Sequence, residues 1–101
     1  MIKHIVLWKL DEAYSATEKK EILSVFREKL EALRGKIEGL QSLVVNFNEH
    51  SAPTGNYDIM LETTLESMAA IEAYQVHPEH MKVVDFVNTL KRQRACIDFE
   101  F

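Results

Sequence analysis

One cysteine, Cys96, serves the whole chain of 101 residues, beside three glycines, two prolines and one tryptophan. A lone thiol closes no intramolecular disulfide and excludes a metal centre built from several cysteines. No Pro/Gly-rich linker, repeat or low-complexity tract interrupts the chain. Basic charge is short too. The 12 Lys+Arg face 16 Asp+Glu, a net charge of −4 with His neutral, which argues against a general nucleic-acid binder. Long apolar runs are missing. The opening stretch has only Ile5-Val6-Leu7-Trp8 unbroken, whereas a membrane span takes about 20 apolar residues. A secretory signal takes a longer run and a small-residue cleavage site. The expectation is therefore one cytoplasmic globular domain over residues 1–101, with no membrane or nucleic-acid partner.

What is present is strong patterning. Residues 2–10 read as a strand, with Ile2, His4, Val6, Trp8 and Leu10 on one face and Lys3, Ile5, Leu7 and Lys9 on the other. Ser15-Ala16-Thr17-Glu18 has the form of a capping box. Ile22, Phe26, Leu30, Leu33 and Ile37 then recur at helical spacing, so a helix to about Leu33 or Ile37 is expected, with Gly35 and Gly39 at its exit. Residues 41–48 and Tyr57 to Thr64 read as strands around a loop with Pro53 and Gly55. Ser67 caps a second helix with Met68, Ile71 and Tyr74 (or Gln75) inward. His77-Pro78 interrupts it and restarts a helical piece running to about Leu90. The basic cluster Lys91-Arg92-Gln93-Arg94 is expected to sit at that helix's C-terminus, where cations suit the dipole, with anion binding as the lesser reading. Ala95, Ile97, Phe99 and Phe101 alternate with Cys96, Asp98 and Glu100 as a final strand.

The order is β-α-β-β-α-β, an α+β, ferredoxin-like arrangement with a four-stranded antiparallel sheet under helices. Helices cover one sheet face only. Yet Ile5–Trp8, Leu43–Val45 and Ile59–Leu61 are apolar on both faces. An uncovered apolar face of several hundred Å² is unusual on a monomer. The economical cover is a second copy of the chain, so a homodimer is expected.

Four segments resemble one family. They are Met1-Ile2-Lys3-His4-Ile5-Val6-Leu7, Tyr57-Asp58-Ile59-Met60-Leu61-Glu62, Ala73-Tyr74-Gln75-Val76-His77-Pro78-Glu79-His80 and Asp98-Phe99-Glu100. In this order they resemble the stress-responsive A/B barrel (Dabb) domains. That resemblance implies the dimeric α/β barrel, two ferredoxin-like chains packed sheet against sheet. Most members have no assigned activity; a plant polyketide cyclase is among them. Carried over from the cyclase, His80 is a base assisted by Tyr74, and His4 lines the same cavity.

From the residues themselves, a neutral imidazole at position 80 suits proton abstraction from a phenol or an activated carbon acid, and Tyr74 suits hydrogen bonding to an enolate. The alternatives are a capped helix, a rim tyrosine and an ordinary buried histidine. Trp8, Phe26, Leu30, Leu61 and Cys96 are expected to line a cavity for a small apolar or aromatic molecule. Cys96 is not expected to be a nucleophile. His77 and His80 lack an evident further ligand, so neither metal nor cofactor is expected. The cyclising members carry a hydroxyl-bearing aromatic on the first helix, where this chain offers only Phe26 and Leu30. A noncatalytic stress-response or interaction protein is therefore one alternative, and a cofactor-free monooxygenase, by fold analogy alone, another.

Overall fold

Strict alternation makes the first strand. In a computed structural model, which describes residues 1–101, β1 (Ile2–Leu10) buries every even position and leaves every odd one half-covered. Helix α1 (Ala16–Glu31) starts at the expected capping box: Glu18 N–H donates to Ser15 Oγ at 3.1 Å, and Ser15 N–H donates to Glu18 Oε1 at 2.9 Å. The remaining elements are β2 (Leu40–Phe47), β3 (Ile59–Leu65), α2 (Met68–Val76), α3 (Pro78–Val87) and β4 (Arg92–Glu100). The sheet is antiparallel throughout, in the order β2-β3-β1-β4.

Helix α1 ends sooner than its apolar spacing predicts. Beyond Glu31 the amides of Leu33, Arg34 and Lys36 bond three residues back, a tighter winding that keeps Leu33 and Ile37 buried without an α-helix. Gly35 (φ +78°) and Gly39 (φ +86°) then take left-handed conformations that unwind the chain into β2. Met68 is about half exposed rather than inward, and Ile71 and Tyr74 carry the buried stripe of α2. The basic cluster is also displaced. Helix α3 closes at Asn88, and Arg92 to Arg94 already belong to β4. Arg92 nevertheless reaches back, donating to Leu90 O and Asn88 Oδ1.

The core lies between the helices and the even face of β1. Phe26 packs against Trp8 and Phe86, with ring centroids 4.7 and 5.7 Å away. Asp58 ties the loop before β3 to the end of β1: its carboxylate accepts from Leu10 N–H at 2.7 Å and its amide donates to Trp8 O at 2.9 Å. On the far face, Val44, Ile97 and Phe99 are exposed, with Ile5, Leu7 and Met60 half-buried among them. No helix covers that face. No helix is long and apolar enough to cross a membrane.

Candidate active site

The break between α2 and α3 builds the site. Pro78 supplies no N–H, so the helix cannot run through it. His77 turns extended (φ −62°, ψ 135°) and serves both helices, closing α2 and capping α3 by accepting from Glu79 N–H at Nδ1, 3.1 Å away. In a continuous helix that amide would go to the carbonyl of Gln75. The freed carbonyl instead accepts from His80 Nδ1 at 3.0 Å. A carbonyl can only accept, so Nδ1 carries the proton and, in the neutral ring, the lone pair is on Nε2. Burial lowers the proton affinity of His80 more than the Gln75 carbonyl raises it, and the charges of Arg94 and the other imidazoles add to the lowering. Its imidazole is thus held neutral at pH 7.

Tyr74 lies six residues before His80, on the other side of the break, and is wholly buried. Its ring meets His80 at 4.4 Å between centroids and His4 edge-on at 5.9 Å. Burial pushes its hydroxyl well above the ordinary phenol range, so it stays protonated and acts as a donor. That hydroxyl has no hydrogen-bond partner, and neither has the buried Trp8 Nε1.

His4 is buried on β1 and donates from Nδ1 to the carboxylate of Asp98, directly opposite on β4. In the neutral tautomer this turns its Nε2 lone pair away from the pair. Cys96 Sγ lies 3.7 Å from the same Nδ1 and 4.0 Å from Asp98 Oδ1. These nitrogen, sulfur and oxygen donors fall within 4.8 Å of one another. The imidazole–carboxylate bond holds two of these three atoms together without a cation. Burial, then the Asp98 charge, raises the Cys96 thiol above its usual value, which keeps it protonated.

His4, Trp8, Leu30, Leu61, Tyr74 and His80 all stand on the wall of one cavity of about 130 Å³ between sheet and helices. Phe26 and Cys96 do not. The Phe26 ring is held behind Trp8, and Cys96 sits in the exposed edge strand beside the His4–Asp98 bond. Sequence reading missed Val6, Val83 and Val87 as wall residues, and Arg92 and Arg94 at its polar side. It also missed Asp98 as the partner of His4, which needs the cross-strand register and has no local signal.

The antiparallel sheet with helices on one face is a ferredoxin-like fold. The chain belongs to the stress responsive A/B barrel domain (Dabb) family, whose model matches residues 2–101. An uncharacterised protein of Streptomyces coelicolor is 31% identical over 80 residues, 79% of this chain and 79% of that protein. The crystal structure of a dimeric protein of unknown function with a ferredoxin-like fold from Bacteroides fragilis is similar at 32% identity, with a TM-score of 0.89 over 99% of this chain and 95% of that one. A dimeric ferredoxin-like protein of unknown function from Thermobifida fusca shares the fold at 22% identity, with a TM-score of 0.84 over 99% of this chain and 90% of that one.

Proposed function

We propose that this chain, a single Dabb domain over residues 1–101, acts as a homodimer that binds a small, largely apolar or aromatic molecule beneath its helices and moves a proton on it. His80 Nε2 takes the proton from a phenol or from a carbon beside a carbonyl, becoming imidazolium. The Tyr74 hydroxyl donates to the oxygen on which negative charge develops. The observation that carries this reading is the buried, protonated Tyr74 hydroxyl, without a protein partner, between two imidazoles on one cavity wall. Such a donor costs free energy unless something accepts from it. Size supports a single ring: apolar cavities of about 150 Å³ hold benzene, and this one measures about 130 Å³. The dimer is supported by the bare apolar face and by the dimeric state of the Bacteroides fragilis relative.

The noncatalytic reading draws on Leu30, which brings no polar group from α1 to the wall. A proton-exchange assay separates the two. Incubated in D2O near neutral pD with 4-hydroxyacetophenone, the protein should speed deuterium entry into the methyl group. His80→Ala should slow that exchange by about a hundredfold or more. Exchange no faster than in buffer, or equally fast with His80→Ala, would remove the catalytic assignment.

A further inference from the structure

Charge is distributed unevenly around the cavity. The protein carries a net charge of −4 with His neutral, yet the charged residues on the cavity wall are Arg92 and Arg94, with no Asp or Glu among them. Neither guanidinium forms a salt bridge. Arg92 is held in place by two neutral acceptors, Leu90 O at 3.3 Å and Asn88 Oδ1 at 3.1 Å, which orient its charge without neutralising it. Asp98, the carboxylate next along the same strand face, is committed to His4.

The strand register orders these groups. His4 stands opposite Asp98, Trp8 opposite Arg94 and Leu10 opposite Arg92. His4 and Arg94 stand at levels four residues apart along the strands, and both side chains reach the same cavity wall. Val6 lies between them, facing Leu61 on β3. The cavity therefore has an imidazole–tyrosine end, an apolar middle and a guanidinium end.

Building on the function proposed above, we infer that the ligand is a small aromatic or apolar monocarboxylate, its carboxylate received by Arg94 and Arg92 and its opposite end presented to Tyr74 and His80. A guanidinium matches a carboxylate with two parallel N–H···O bonds. The unpartnered, fully buried Tyr74 hydroxyl independently marks the other end as a place for a ligand's acceptor atom.

Calorimetric titration with 4-hydroxybenzoate and with its neutral isostere 4-hydroxybenzamide tests this on the intact protein. The expected result is tighter binding of the benzoate by about tenfold or more, weakening with added salt. Arg94→Gln should abolish most of that preference and Arg92→Gln part of it, while Arg94→Lys keeps some. Both positions are exposed on an edge strand, and circular dichroism checks each fold. Equal binding of the two probes would overturn the inference and leave the cavity reading standing. A benzoate preference unchanged in both glutamine variants would overturn the assignment to these arginines. Binding of neither probe would overturn the inference together with the cavity on which it rests.

Discussion

Tyr74 is the residue at which stability and function part. Its hydroxyl is buried without a partner, and an unsatisfied buried polar group costs about 1–3 kcal/mol. Tyr74→Phe should therefore leave stability unchanged or raise it by about 1 kcal/mol, as read by urea denaturation. Binding of 4-hydroxybenzamide should weaken by several-fold in the same variant. A clear loss of stability would mean that the hydroxyl has a structural role. His80 gives the pH dependence. Its folded-state proton affinity is lowered, mainly by burial. The base is therefore already neutral at pH 7, and exchange activity should be level from pH 7 upward and fall on acidification below the ordinary histidine range. The unfolded chain binds the proton more readily, so the same group contributes stability that is complete above about pH 6.5 and is lost as the pH drops through the folded value. A pH–rate profile that still climbs above pH 8 would contradict this. Tyr74 and His80 were legible as candidates because both fall in one short segment, residues 73–80, that resembles the family. Arg94 was not, since its place beside Trp8 is a product of strand register.

Elements were legible wherever one period ran undisturbed. The alternation of β1 and the capping box of α1 were readable residue by residue, because each is decided by neighbours within a few positions. The end of α1 was not. Apolar spacing continues through Leu33 and Ile37, but three-residue winding reproduces that spacing and hides the change of helix type. The two glycines of this segment allow a paired test. Both have positive φ, so an alanine at either is strained by about 1–2 kcal/mol. At Gly35 a Cβ meets nothing within 4 Å, whereas at Gly39 it would lie 3.1 Å from Ala70 Cβ. Gly39→Ala should therefore lower the midpoint of thermal unfolding further than Gly35→Ala. Equal losses would show that α2 shifts freely to make room.

At the scale of the whole molecule the sheet is the decisive object. Its helix-facing side holds the core and the cavity, and its other side presents Val44, Ile97 and Phe99 to solvent. This two-sidedness was legible in the sequence, since β1, β2 and β3 each carry apolar residues in both phases. Sedimentation at micromolar concentration should give twice the chain mass of 11.7 kDa. Ile97→Lys, with its side chain 56% exposed in the single chain, should shift the protein towards monomer with little change in secondary structure. A wild-type mass of one chain would contradict the homodimer and leave the Ile5–Ile97 face without an explanation.

The two imidazoles beside Tyr74 are held by different means, and this bears on how the site can drift. Asp98 fixes His4 through a side chain, so one nucleotide change can remove it. The carbonyl that fixes His80 belongs to the backbone of Gln75, and every amino acid supplies the same carbonyl. Residue 75 can vary without cost to the tautomer as long as the helix still breaks at His77-Pro78. The ring at position 80 is therefore the more durable of the two against mutation, and its weak point is the proline two residues earlier.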